Sequence, residues 1–172
     1  CLKADINKIL NSEIITNLVR ILGCGVEMKI KGKSFSEFNL QNLKFSKIII
    51  CTDADFDGYQ IRTLILAMIY SLMPTLIDEK KVFIAESPLY EITNKDKTYF
   101  AYTDREKTEI VSKLEGKVNV QRSKGLGENE PDMMKLTTMD PETRKLLLIT
   151  PEAADVTFQY FDVLLGNNLQ GR

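Results

Sequence analysis

Lys47-Ile48-Ile49-Ile50-Cys51-Thr52-Asp53-Ala54-Asp55-Phe56-Asp57-Gly58 opens on a short apolar, β-branched run and ends in three carboxylates spaced two apart. Such an unbroken apolar run is the pattern of a strand buried on both faces of a parallel sheet. In an extended chain alternate side chains point the same way. Asp53, Asp55 and Asp57 would then converge at the carboxyl edge of the sheet, where open α/β sheets place their sites. Adjacent anions repel unless a cation sits among them, and an all-oxygen donor set suits Mg2+, Mn2+ or Ca2+. The plainer alternative is a solvated acidic turn in which Asp55 or Asp57 caps the following helix.

Downstream, residues 58–80 predict a long helix and Val82-Phe83-Ile84-Ala85 a second buried strand, so strand, helix and strand follow as in a right-handed crossover. Residues 89–93 and 98–102 read as a hairpin, 104–114 as a helix and 118–121 as a strand. Upstream, Ile14, Ile15, Leu18, Val19, Ile21 and Leu22 form a helical stripe opened by Ser12 and closed by Gly23, with a shorter helix over 4–10. Residues 29–47 form a basic, loop-rich connection. After the Gly125-Leu126-Gly127 turn the pattern predicts helices over 131–139, 141–148 and 151–165. The fold class is α/β: a parallel sheet flanked by helices, followed by a mainly helical carboxyl-terminal tail.

Composition narrows the function. The chain has 172 residues, 44% hydrophobic and 27% charged, which is ordinary for a globular protein and excludes disorder as the default state. Lys plus Arg number 23 and Asp plus Glu 24, for a formal charge of -1. The pI of about 5.7 lies far below the value above ~9 that marks a dedicated nucleic-acid domain, so any DNA contact must come from local patches. No window reaches the roughly 18 uninterrupted apolar residues of a membrane span, because residues 61–77 contain Arg62, Thr63, Ser71 and Pro74. The three cysteines form no CxxC pair and there is no histidine, which argues for a reducing cytoplasm, against zinc, and against any Ser-His or Cys-His nucleophile. The start, Cys1-Leu2-Lys3-Ala4-Asp5, has neither an initiator Met nor a signal-peptide pattern and reads as a piece of a longer polypeptide.

Three chemistries compete for the acidic cluster. An EF-hand loop fits positions 53–58, but its twelfth position is Leu64 instead of Glu and a strand precedes it. A haloacid-dehalogenase-type phosphohydrolase would use Asp55 as nucleophile with Asp57 beside it, yet Asp78, Glu79 and Glu86 show no matching downstream motif. The third is phosphoryl transfer on nucleic acid, in which divalent ions neutralise the phosphodiester. It needs nearby cations. Arg62 follows Asp57 by about one helical turn, and residues 121–128 place Arg122 and Lys124 beside Gly125 and Gly127, whose backbone amides could approach a phosphate. Alone, that glycine segment is equally an ordinary turn before a helix.

Together, several stretches resemble the B subunits of bacterial type IIA topoisomerases, gyrase and topoisomerase IV. They are Ile21-Leu22-Gly23-Cys24-Gly25, the segment 50–58 with Ile61-Arg62-Thr63-Leu64, residues 85–90 ending in Pro88-Leu89-Tyr90, Lys124-Gly125-Leu126-Gly127-Glu128, and Thr138-Met139-Asp140-Pro141-Glu142-Thr143-Arg144. They run in family order over nearly the whole chain. The resemblance implies a Rossmann-like TOPRIM domain over residues 1–118 and the B-subunit tail over 119–172. It implies Asp53 and Asp55 as Mg2+ ligands, with Mn2+ or Ca2+ as substitutes, and Asp57 supporting or binding a second ion. Asp53, Arg62 and Lys124 would be catalytic. Gln60, Arg62, Arg122, Lys124 and Gly125 would face double-stranded DNA. The nucleophilic tyrosine would belong to a partner A subunit in an assembly of two A and two B subunits, and cleavage, passage and religation would be ATP-dependent.

The departures from the family pattern carry expectations of their own. The family's Glu-Gly-Asp-Ser segment, its Pro-Leu-Arg/Lys-Gly-Lys segment and its ATP-binding domain would all precede Cys1. The fragment alone is thus expected to bind Mg2+ weakly and neither to cleave DNA nor to hydrolyse ATP. Tyr59-Gln60 stands where most members carry Ser-His, Ser123 replaces an aromatic residue and Asn129 a methionine. Those changes leave a cleavage-inactive DNA-binding paralogue as the alternative.

Overall fold

The computed structural model describes residues 11–27, 36–123, 125–128 and 130–151. In chain order the regular elements are α1 (Glu13–Leu22), β1 (Ile48–Ile50), α2 (Phe56–Leu72), α3 (Thr75–Asp78), β2 (Val82–Ala85), β3 (Tyr90–Asn94), β4 (Lys97–Ala101), α4 (Asp104–Ser112), β5 (Val118–Arg122), α5 (Pro131–Met134) and β6 (Leu146–Leu148). Short 3-10 turns lie at Leu40–Asn42 and Leu126–Glu128, and a π turn at Lys135–Met139 continues α5. Contacts divide the described residues into two compact units. One takes the chain up to Ile48, Thr63–Phe83 and the chain from Leu148; the other takes Ile49–Arg62 and Ile84–Leu147.

In the first unit α1 begins at Ser12, although the Ser12 side chain makes no capping bond, and ends at Gly23 with φ 80, whose N–H reaches the Val19 carbonyl. A left-handed residue here favours glycine because it lacks Cβ. The core draws on Val19, Leu22, Ile69, Leu72 and Leu76, all at 4% exposure or less. Burying such a side chain contributes roughly 2 kcal/mol. The predicted helix over 58–80 is two helices, because Pro74 cannot donate to the helical ladder and the chain restarts as α3.

The strands form two three-stranded sheets, in the orders β1-β2-β6 and β4-β3-β5. Strands β1 and β2 are joined through the helical stretch between them, the connection that parallel neighbours require. The bonds from Ile149 N–H to the Val82 carbonyl and from Glu86 N–H to the Lys145 carbonyl run in opposite senses along β2, so β6 lies antiparallel to it. In the second unit the predicted hairpin forms, Tyr90 opposite Ala101 through Asn94 opposite Lys97. Strand β5 pairs antiparallel with β3 on its other side. Ile92 and Ala101 are fully buried there.

The tail differs from the helical expectation. Residues 131–139 are helical, but the stretch predicted as a helix over 141–148 is a turn followed by β6. The Asp140 carboxylate takes the Glu142 N–H at 2.9 Å, and the leucines that follow join the sheet. The predicted helices over 4–10 and 151–165 lie outside the described residues, apart from Pro151. Among the described residues no helix is long and apolar enough to cross a membrane.

Candidate functional site

The acidic turn leaves β1 and enters α2 within a few residues. Asp55 is the residue before the helix, and its Oδ1 accepts the Gly58 N–H at 2.7 Å, satisfying one of the free amides of the first turn. Tyr59 N–H bonds to the Asp55 carbonyl at 3.0 Å. Gly58 is buried, and a Cβ there would collide with the Asp53 carbonyl oxygen and lie 2.8 Å from its carbon. Only glycine lets the first turn pack this tightly on the Asp53 backbone. Asp57 points into solvent from that turn. The alternation that would align the three carboxylates thus ends where the helix begins.

A contact over 73 residues of sequence brings the glycine loop to the acidic turn: Leu126 N–H donates to Asp53 Oδ1 at 2.8 Å. Gly125 lies alongside, so that a Cβ there would rest 3.5 Å from Asp53 Oδ2. The loop is anchored from the other side by Ser123 N–H on the Leu89 carbonyl at 2.9 Å. The loop amide between the two glycines, that of Leu126, is therefore spent on a carboxylate.

Arg62 is half-buried and held in place. Its Nε and Nη2 donate to the Thr52 hydroxyl at 3.3 and 3.2 Å, and the guanidinium stands 5.1 Å from the Tyr59 ring centroid. Thr52 is buried, and its carbonyl accepts from Ser87 Oγ at 3.2 Å. Neither Thr52 nor the Leu126 amide was singled out from sequence. The only cue was a hydroxyl between an apolar run and the first aspartate. Gln60 is exposed. Arg122 is exposed at the end of β5, opposite Tyr90. The Tyr90 hydroxyl and the Lys107 ammonium both bind Asp104 Oδ1, at 2.7 and 2.8 Å. Lys107 first and Tyr90 second hold that carboxyl below its usual pKa, with a smaller contribution from Arg122. Cys51, just past β1, is an exposed residue, but partial desolvation of its thiol raises the pKa, and nearby Arg144 offsets part of that rise. Lys124 lies outside the described residues.

Carboxylate oxygen is the hard donor that Mg2+ or Ca2+ prefers. Among the described residues no three acidic, cysteine or histidine side chains gather closely enough to hold an ion. Asp53 and Asp55 each accept a main-chain amide on one oxygen, and among the described residues the second oxygen accepts no hydrogen bond. They fit an ion held by one or two carboxylates, with water or a ligand's phosphate completing its shell, as is usual for Mg2+. They do not build a closed cage.

Residues 4–87 match the family model of the Toprim domain, and residues 115–172 match that of the DNA gyrase B subunit, carboxyl terminus. The chain is 39% identical over 171 residues to the B subunit of DNA gyrase from Thermotoga maritima, covering 99% of this chain and 26% of that protein. It is 42% identical over 173 residues to the B subunit of DNA gyrase from Clostridium acetobutylicum, covering 99% and 26%. It is 37% identical over 173 residues to the B subunit of DNA topoisomerase 4 from Rickettsia felis, covering 98% and 25%. The chain spans about a quarter of the length of these curated relatives. With the Toprim model over its first half, the gyrase B model over its end and a mixed α/β fold carrying the acidic turn, the chain belongs to the family of DNA gyrase and topoisomerase IV B subunits.

Proposed function

We propose that this chain is the metal- and DNA-contacting part of a type II DNA topoisomerase B subunit, acting in the cytoplasm on double-stranded DNA with an A subunit, two copies of each. ATP is hydrolysed elsewhere in the parent protein. Residues 1–118 form the metal-binding domain and 119–172 the gyrase B tail. Asp53 and Asp55 would hold Mg2+, with Asp57 in support and Mn2+ or Ca2+ as substitutes. When bound, the ion neutralises phosphodiester charge and stabilises the leaving oxygen. Arg62 directs its unspent N–H groups at a phosphate, a task suited to a planar guanidinium. Lys124 and Arg122 add positive charge along the DNA backbone beside Gly125, Gln60 faces the scissile region, and the attacking tyrosine comes from the A subunit.

The observation that carries this reading is the bond from Leu126 N–H to Asp53, which joins the glycine loop to the acidic turn. It ties the segment rich in phosphate-seeking groups to the carboxylate proposed to hold the ion. The phosphohydrolase alternative, with Asp55 as nucleophile and Asp57 beside it, gains no support, because the family models that match are those of the Toprim domain and the DNA gyrase B subunit. In the full-length protein assembled with its A subunit, Asp53→Ala should slow Mg2+-dependent relaxation of supercoiled plasmid roughly a thousandfold, as expected for losing several kcal/mol of charge stabilisation. Unchanged relaxation refutes the reading. A wild-type assembly that binds duplex DNA without cleaving it favours the inactive paralogue, which the Tyr59-Gln60 pair makes a specific alternative.

A further inference from the structure

We infer that Thr52 is a positioning residue that aims the Arg62 guanidinium at a DNA phosphate; this rests on the DNA-contacting role proposed above. The Thr52 side chain is buried beside the acidic turn, and its hydroxyl accepts two N–H groups of the same guanidinium, at 3.3 and 3.2 Å. Ser87 fixes the Thr52 backbone through its carbonyl at 3.2 Å, and the Tyr59 ring stands 5.1 Å from the cation. Arg62 is therefore restrained at Nε and Nη2, while the N–H groups of Nη1 have no protein acceptor among the described residues. A long, flexible side chain tethered this way loses less freedom when it meets an anion, because its rotamer is already set. The unsatisfied edge of the fork is the edge that matches phosphate oxygens.

Thr52 carries no charge, and this separates aiming from mere packing. Each phosphate contact made by a cation adds about 0.9 to the slope of log affinity against log salt. A substitution at an uncharged position changes that slope only by displacing a cation. The full-length protein, assembled with its A subunit, is titrated with a fluorescent duplex in EDTA across a series of salt concentrations. Arg62→Ala should reduce the slope by about one contact. Thr52→Val should do the same and weaken low-salt binding on the order of tenfold, whereas Thr52→Ser, which keeps the hydroxyl, should match wild type within about threefold. Thr52→Val added to Arg62→Ala should cost nothing more. Should the valine variant fail to fold, Thr52→Ala carries the same expectation. A wild-type slope in Thr52→Val, or losses that multiply in the double variant, overturns the assignment while leaving the proposed function standing. A wild-type assembly with no affinity for duplex sinks the proposed function and the assignment with it.

Discussion

Asp55 and Asp140 do similar local work with different outcomes. Each carboxylate accepts a main-chain N–H just ahead of it, Gly58 at 2.7 Å and Glu142 at 2.9 Å. Asp55 opens the seventeen-residue helix α2. Asp140 closes a single turn, in which Arg144 N–H reaches the Asp140 carbonyl at 2.9 Å, and the chain then extends into β6. The caps differ in reach, three residues in the first case and two in the second, which is the difference between a helix cap and an Asx turn. The residues downstream matter more. After Asp55 comes a glycine that allows close packing, and then a largely apolar run in which Ala67, Met68, Ile69 and Leu72 are buried, so that packing and not intrinsic propensity sustains the helix. After Pro141 and Glu142 comes a leucine run whose backbone is taken up by β2, with the Lys145 carbonyl accepting from Glu86 N–H at 3.0 Å. An aspartate can start a turn, but downstream partners decide whether it becomes a helix.

The contrast between the two turns is tested most severely at Gly58. Replacing it with alanine drives a methyl group into the Asp53 backbone. Gly58→Ala should therefore cost about 2–3 kcal/mol of stability in denaturant unfolding of the full-length protein and abolish plasmid cleavage once that protein is assembled with its A subunit. Wild-type stability would show that the acidic turn tolerates a looser first helical turn. A finer cut separates capping from charge at Asp55. Asp55→Ala should cost about 1 kcal/mol of stability and Asp55→Asn much less, because asparagine still accepts the amide, yet both should impair Mg2+-dependent cleavage in the assembled enzyme. Cleavage by Asp55→Asn at the wild-type rate would confine this residue to capping. The smallest effect belongs to Asp140, an exposed turn bond: Asp140→Ala should lower stability by roughly 0.5–1 kcal/mol, read as a shift of the urea midpoint, with relaxation retained.

Much of the fold was legible because its signals are local. The apolar run before Asp53, the proline-free stretch that became α2, the hairpin around Lys95 and Asp96 and the left-handed Gly23 all depend on residues within a turn or two of one another. Pro74 was visible as well, but treating the apolar pattern as continuous across it merged two helices. The misread tail had the same origin: the helical periodicity of 141–148 is real, while the strand partner that overrides it lies far back in the sequence, at Val82–Ala85. At the site, the aspartates and Arg62 stood out by type and spacing. Thr52 and the Leu126 amide did not, since a hydroxyl beside an apolar run and a main-chain N–H carry no compositional mark.

The order of side chains along the chain was enough to reveal three oxygen-donor carboxylates after an apolar run, a composition without histidine and the kinship carried by five short motifs. Folding in three dimensions decided how those donors are used. It set Asp55 on the amide of Gly58, Asp53 on the amide of Leu126 and Arg62 on the hydroxyl of Thr52. The reason is one of range: spacing along a backbone dictates which residues share a turn, whereas hydrogen-bond partners distant in sequence meet only after apolar burial has brought their elements together.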